Sequence, residues 1–164
     1  MANKKTVKKK MPATIAKTLG LPEIKAAGGL IYNNRYHILL IFKRGKWDLP
    51  KGRLEIGGNP PETALREISE ETGLDKKKLT LEGPLPSTYH TTRHGKTKYL
   101  KKTNWFIVRY DGEDSDVSPR IIEGIIECRW VHLSDLDRYR PSLLPRIEYV
   151  IDFWLQNKAY EPRE

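Results

Sequence analysis

The chain has 164 residues, of which 38% are hydrophobic and 31% are charged. This length suits a single domain of about 150 residues, and the composition excludes a chain that is disordered throughout. The apolar runs are far shorter than the ~20 residues of a membrane helix. A single cysteine, Cys128, excludes a disulfide framework and a cysteine-based zinc site, and it favours a reducing compartment.

The net charge of +9 is concentrated at the start of the chain, because the first ten residues contain five lysines and no acid. We expect residues 1–12 to form a flexible basic tail and residues 13–160 to form one domain. The lysines are typical either of a solvated tail or of one that binds nucleic acid. No apolar segment of a secretory signal follows them, and we expect a cytoplasmic protein without a membrane partner.

Residues 11–22 predict a short turn or helix, and β-rich apolar segments follow at residues 24–32 and 36–43. Asn33-Asn34 between these segments is typical of a hairpin turn. The glycines and prolines of residues 49–61 predict a loop.

The next segment predicts a helix over residues 59–72. Asn59 suits its N-cap, Pro60 its first helical position, and Gly73 its end. Further strands are predicted at residues 79–92, 99–110 and 125–133, and a last helix at residues 142–157. This order of strands and helices indicates an α/β or α+β sandwich.

The predicted helix carries three carboxylates, Glu67, Glu70 and Glu71, within an arc of about 100°. Like charges at these spacings destabilise a helix by about 0.2–0.5 kcal/mol per pair. A hard divalent cation, Mg²⁺ or Mn²⁺, would offset that cost because such ions prefer oxygen ligands. The alternative is a solvated acidic face, paired with Arg66 or with the lysines of residues 76–78.

The spacing of the helix and its preceding loop forms a longer motif. Gly52 is followed after five residues by Gly58, and after seven more by the segment 66–74, Arg-Glu-Ile-Ser-Glu-Glu-Thr-Gly-Leu. This resembles the signature of the Nudix hydrolases at eight of its nine defining positions. The resemblance extends over roughly residues 24–157 and implies a Nudix-like α/β/α sandwich with a mixed β-sheet.

The one departure is Gly58, which stands where the family has its first glutamate. In the family that residue supports the arrangement around the motif arginine, here Arg66. Glu55 or Glu62 is a candidate replacement partner. The departure is compatible with an active enzyme, with a slow one, or with a nucleotide-binding module that does not catalyse.

The resemblance implies a Mg²⁺ site, with Mn²⁺ as a substitute, formed by Glu67, Glu70, Glu71 and Gly52. A bound divalent ion screens the phosphate charge and lowers the pKa of the attacking water. The implied catalytic residues are Glu67, Glu70, Arg66 and a glutamate of the late loop. Glu123 is the first candidate for this last role and Glu127 the second.

A cluster of basic residues follows the motif: His90, Arg93, His94, Lys96, Lys98, Lys101 and Lys102. No acid lies between residues 83 and 110, which is typical of a phosphate-binding surface or of a solvated hairpin. The predicted substrate-binding residues are Lys51, Tyr89, His90, Lys98 and Lys101.

The leading functional hypothesis is a Mg²⁺-dependent pyrophosphohydrolase that cleaves a nucleoside polyphosphate, for example diadenosine tetraphosphate. The alternatives are an RNA 5′-end pyrophosphohydrolase that binds nucleic acid through its tail, a diphosphoinositol polyphosphate hydrolase, and a non-catalytic nucleotide-binding module. We expect a small-molecule substrate and a monomer or homodimer.

Overall fold

The computed structural model describes residues 14–157, so the predicted tail over residues 1–12 lies outside the described residues. The helices are α1 (Ile15–Leu19), α2 (Pro60–Thr72), α3 (Leu136–Tyr139) and α4 (Pro145–Gln156). The strands are β1 (Glu23–Tyr32), β2 (Ile38–Lys43), β3 (Lys46–Asp48), β4 (Lys51–Arg53), β5 (Leu79–His94), β6 (Thr97–Tyr110) and β7 (Ile125–Val131).

All seven strands belong to one mixed sheet. The main path runs β3-β2-β1-β6-β5, while β4 pairs with β1 and β7 pairs with β2. The β1–β6 pair is parallel and the other pairs are antiparallel. This arrangement confirms the predicted α+β class with a mixed sheet.

The two long helices cover opposite faces of the sheet, because successive residues of a strand point to opposite faces. Trp105 of β6 belongs to the core formed with α4, which includes Ile151. The next residue, Phe106, belongs to the core formed with α2, which includes Ile68. The sheet therefore separates an α2 face from an α4 face, as an α/β/α sandwich requires.

Several predicted boundaries differ from the structure: β7 ends at residue 131 rather than 133, and α4 begins at residue 145 rather than 142. Two connections differ more. The predicted loop over residues 49–61 contains strand β4, which pairs with β1 through Gly52 and Ala27. The β1–β2 connection spans residues 33–37 and is therefore longer than the predicted two-residue turn. The Asn33 side chain organises this longer loop by accepting the backbone N–H groups of both Arg35 and His37. Strand β2 consequently begins at residue 38 rather than residue 36.

Within residues 14–157, none of the helices is long and apolar enough to cross a membrane.

Candidate active site

Helix α2 begins and ends where the sequence predicts. The Asn59 side chain accepts the backbone N–H of Glu62 at 3.1 Å, and Pro60 occupies the first helical position. Gly73 ends the helix in the left-handed conformation at φ 76°. Ala64 and Ile68 are buried against the sheet, and this fixes the rotation of the three carboxylates about the helix axis.

Two of these carboxylates face inward rather than toward water. Glu67 is 9% exposed and Glu71 is 4% exposed. The Glu67 carboxylate lies directly against Gly52 of β4, and a Cβ atom at this glycine would overlap it. Glu71 accepts the backbone N–H of Lys51 through Oε2 at 3.1 Å. Both acidic side chains therefore contact strand β4.

The hydrogen-bond pattern of β4 gives its residues different roles. Gly29 donates to the Pro50 carbonyl and Leu54 donates to the Lys25 carbonyl. Hydrogen-bonded pairs alternate along an antiparallel ladder, so Gly52 pairs with Ala27 and uses its backbone groups within the sheet. The N–H and C=O of Lys51 face away from β1, toward Glu71. Gly52 is a predicted metal ligand, but its backbone groups are used within the sheet and its lack of a side chain makes room for Glu67. The backbone carbonyl that faces outward from β1 is that of Lys51.

The third carboxylate, Glu70, is the exposed one. Arg66 Nη1 lies 3.5 Å from Glu70 Oε1 and 3.3 Å from Glu67 Oε1. Arg120 Nη1 lies 3.6 Å from Glu70 Oε2. Arg66 pairs with this acidic face as the sequence suggests, whereas Arg120 was missed because it lies 50 residues further along the chain.

The loop before β7 is attached to the end of α2. Ser118 donates its N–H to the Thr72 carbonyl at 2.7 Å, and Arg120 donates to the Glu71 carbonyl at 3.2 Å. This attachment brings Glu123 to the site, where its Oε1 lies 3.5 Å from Arg120 Nε.

The second candidate in this region, Glu127, is placed differently. It lies on β7 and forms an ion pair with Arg129. Its neighbour Cys128 points the other way, with Sγ 4.0 Å from the Glu71 carbonyl. Successive strand residues point to opposite faces, so Glu127 points away from Glu71. Glu123 lies near enough to the acidic side chains of α2 for its charge to affect Glu67 and Glu71.

Burial makes the inner carboxylates electrostatically costly. It raises the pKa of Glu71 to about 7, against the lowering effect of the Lys51 charge. Burial also raises the pKa of Glu67, against the lowering effect of Arg66, and the charge of Glu123 raises both values further.

The donor atoms suit a hard divalent cation. They are carboxylate oxygens beside an outward backbone carbonyl, which Mg²⁺ and Mn²⁺ prefer. A cation would also supply the positive charge that the buried carboxylates need. Among residues 14–157, no three His, Cys, Asp or Glu side chains are already gathered in a metal-binding group.

Gly58 lies in a tight turn that would have to shift to admit a side chain. Its N–H donates to the Glu55 carbonyl at 2.8 Å. A Cβ atom would lie 2.9 Å from that carbonyl oxygen and 3.1 Å from Leu54 Cδ1. The residue with positive φ is the adjacent Gly57, at 74°.

Arg66 does not use either predicted replacement partner. Arg66, Glu55 and Glu62 line one cleft of about 450 Å³ beside Gly58. Within the described chain, no ion pair joins Arg66 to Glu55 or Glu62; it pairs instead with the helix carboxylates.

The predicted substrate residues divide between the two faces of the sheet. His90 lies directly opposite Lys101 in the β5–β6 register, on the α4 face. Lys51 reaches the same face, with Nζ 6.0 Å from the centroid of the Trp105 ring.

The other two predicted residues lie elsewhere. Tyr89 faces Lys102, whose Nζ lies 6.0 Å from its ring centroid, on the opposite face from His90. Lys98 is exposed near the turn of the β5–β6 hairpin.

Arg146 joins the residues on the α4 face from the first turn of α4. Burial is the main cause that lowers the pKa of both His90 and Lys101, and the Arg146 charge lowers both further. The sequence offers no local signal for this role, since the periodicity of the last helix marks only its apolar stripe.

Known proteins resemble this chain in sequence. The family model of the NUDIX domain matches residues 22–152. The RNA pyrophosphohydrolase of Brucella anthropi is 29% identical over an alignment of 122 positions, which covers 70% of this chain and 66% of that protein. The RNA pyrophosphohydrolase of Rickettsia conorii is 28% identical over an alignment of 131 positions, which covers 73% of this chain and 81% of that protein.

Solved structures share the fold. The C. elegans Ap4A hydrolase binary complex superposes with a TM-score of 0.64 at 21% identity, covering 81% of this chain and 96% of that one. The MutT protein of Methanosarcina mazei superposes with a TM-score of 0.60 at 23% identity, covering 84% and 97%.

Proposed function

The chain belongs to the Nudix hydrolase family, and on that premise we propose that it is a Mg²⁺-dependent pyrophosphohydrolase of nucleoside polyphosphates. The observation that supports this proposal is the placement of the acidic side chains of α2. Glu67 and Glu71 are held against β4, and Glu70 stands beside them between two arginines.

Glu67, Glu70 and Glu71 would hold the cation, together with the outward carbonyl of Lys51. When bound, Mg²⁺ or Mn²⁺ would screen the phosphate charge and acidify the attacking water. Arg66 would hold the buried Glu67 carboxylate and the exposed Glu70 carboxylate in position.

Glu123 is our candidate for orienting the attacking water and accepting its proton. Its attachment through the loop to the end of α2 places it beside the buried carboxylates. Lys51, His90 and Lys101 would bind phosphate oxygens by charge-assisted hydrogen bonds.

A dinucleoside polyphosphate such as diadenosine tetraphosphate is the proposed small-molecule substrate, because its linked phosphates match this row of basic groups. A second candidate is the 5′ end of RNA. It is favoured by the names of the two bacterial relatives and by the five lysines of residues 1–10, which would attract a polyanion.

Product release from diadenosine tetraphosphate and from 5′-triphosphate RNA, each with Mg²⁺ and then with EDTA, tests the proposal. We expect hydrolysis with Mg²⁺ and none with EDTA. A preference for RNA that disappears when residues 2–10 are deleted would favour the second candidate. Nucleotide binding without hydrolysis of either substrate would overturn the proposal and favour the non-catalytic module.

A further inference from the structure

Four basic side chains from four different elements lie near one another on the α4 face of the sheet. His90 of β5 and Lys101 of β6 are direct neighbours in the register. Lys51 comes from β4 and Arg146 from α4, and after burial the charges of both lower the pKa of His90 and of Lys101. We call this group of four residues the basic pocket.

The basic pocket contains more positive charge than its neighbours neutralise. Lys51 forms an ion pair with Asp48, a buried acid. Across the described residues, Lys101 and Arg146 have no carboxylate within ion-pair distance. Burial lowers the pKa of Lys101, with a further lowering from the Lys51 charge. Half-buried cations without a partner are costly, and a bound anion would offset that cost.

Polar atoms of the basic pocket also lack hydrogen-bond partners. His90 Nδ1 and Arg146 Nε are both buried and unpaired within the described chain. Thr103 Oγ1, two residues along β6 from Lys101 and on the same face, is a third unpaired atom. Buried polar atoms are nearly always paired in native proteins. Three orphaned atoms beside uncompensated cations point to an acceptor-rich ligand, which phosphate oxygens would provide.

The basic pocket is adjacent to the acidic side chains, on the other side of one strand. The backbone N–H of Lys51 binds Glu71, while its side chain lies over Trp105 on the α4 face. In the sheet described here, β4 pairs only with β1. A chain of phosphates could therefore pass the outer edge of β4, with one end at the carboxylates and the other in the basic pocket.

We propose that the basic pocket binds substrate phosphates beyond the linkage that is cleaved, and that Arg146 is a specificity-determining residue that favours substrates with three or more consecutive phosphates. The part of this inference that concerns turnover rests on the proposed function. The binding of a polyphosphate to the basic pocket itself does not require hydrolysis.

The direct test is binding of inorganic triphosphate by titration calorimetry in EDTA. We expect Arg146→Gln to weaken binding roughly tenfold or more, because it removes charge-assisted hydrogen bonds. Arg138→Gln is the matched control, since Arg138 lies on α3 with 83% of its side chain exposed. Equal affinities of wild type and Arg146→Gln would overturn the proposal.

Thermal unfolding separates a binding role from a structural one. We expect Arg146→Gln to unfold at the same or a higher temperature than wild type without ligand, because an unpaired charge is removed. Triphosphate should raise the unfolding temperature of wild type and of Arg138→Gln, but not that of Arg146→Gln. A less stable Arg146→Gln that triphosphate still stabilises would indicate a purely structural residue and overturn the proposal.

Kinetics then connects the basic pocket to substrate choice. Arg146→Gln should raise KM for diadenosine tetraphosphate and leave KM for ADP-ribose, which has two phosphates, nearly unchanged. Equal effects on both KM values would contradict the specificity role. If wild type hydrolyses neither substrate but binds triphosphate through Arg146, the proposed function fails while the polyphosphate site stands.

Discussion

The two sides of strand β4 carry opposite charge. The buried acidic residues of one side come from a single helix, and the basic residues of the other side come from distant parts of the chain. On the α2 side, Glu67 and Glu71 are contributed by one helix whose own sequence sets their spacing. On the α4 side, Lys51, His90 and Arg146 come from elements far apart in the chain. The acidic side would attract a cation and the basic side an anion. A single strand between them places both within reach of one metal-bound polyphosphate.

The sides also differ in how far their charges are already paired. Glu70 on the acidic side is ion-paired with Arg66 and Arg120. On the basic side, Asp48 forms an ion pair with Lys51. Its charge also raises the pKa of His90 and of Lys101, against the larger lowering effect of burial. One carboxylate among four basic side chains leaves the basic side with excess positive charge, which a bound anion would offset.

The largest loss of activity is expected from Glu70→Gln, which removes a charge from the acidic side without opening a cavity. We expect kcat to fall by roughly a hundredfold or more, because the cation would lose a ligand. Glu148→Gln is the matched control, with 35% of its side chain exposed against 39% for Glu70. Steady-state kinetics over a Mg²⁺ titration measures kcat for both variants. An unchanged kcat of Glu70→Gln at saturating Mg²⁺ would show that Glu70 is not part of the metal site.

A smaller loss is expected from Gly52→Ala, which moves a carboxylate without deleting it. The added Cβ atom would displace the Glu67 carboxylate, and misplacement of a reacting group by about 1 Å can cost up to a hundredfold in rate. We expect kcat to fall by roughly tenfold or more with little change in unfolding temperature. Gly83→Ala is the control, since nothing lies within 4 Å of a Cβ atom there. Equal activities of the two variants would show that the Gly52 contact is dispensable.

Gly58→Glu restores the family residue and tests whether the acidic side needs it. Its Cβ atom would meet the Glu55 carbonyl oxygen at 2.9 Å, so the turn must open. We expect a loss of about 1–3 kcal/mol in unfolding free energy and no gain in kcat, because Arg66 already has carboxylate partners. Urea unfolding of Gly58→Ala should show most of the same loss. A tenfold or greater rise in activity of Gly58→Glu would instead identify Gly58 as a degenerate position.

The last and smallest expected effect is a pH dependence of the unfolding free energy that arises from His90 on the basic side. Burial lowers the pKa of His90 from 6.5 to about 4, with the Arg146 charge as the next cause. The unfolded chain therefore binds a proton more readily than the folded one, and this residue's contribution to stability is lost as the pH falls from 6.5 to about 4.

Unfolding free energies measured between pH 7 and pH 4 test this sign. His90→Gln should lose less stability over that range than wild type. Inorganic triphosphate should reduce the difference, because a bound anion favours the protonated imidazole. Identical pH profiles for the two proteins would show that His90 is not held neutral by the basic pocket.

Local sequence was sufficient for the acidic helix. Asn59 and Gly73 mark the ends of α2 because capping depends on side-chain and backbone properties of those residues alone. The three carboxylates follow from helical periodicity. The sequence did not reveal that Glu67 and Glu71 are buried, because their burial depends on strand β4, whose three residues are too few for an alternating pattern.

The sequence by itself thus determined the family, the α+β class and the acidic residues, since each depends on spacing within a short segment. Only the tertiary structure decided that Arg120 joins the acidic side and that Glu123, rather than Glu127, lies there, through backbone hydrogen bonds at the end of α2. It also decided that Arg146 lies with His90 and Lys101, because α4 packs against the face of the sheet to which those side chains point. Contacts between distant segments arise from burial of apolar faces, and that burial selects which charged residues become neighbours.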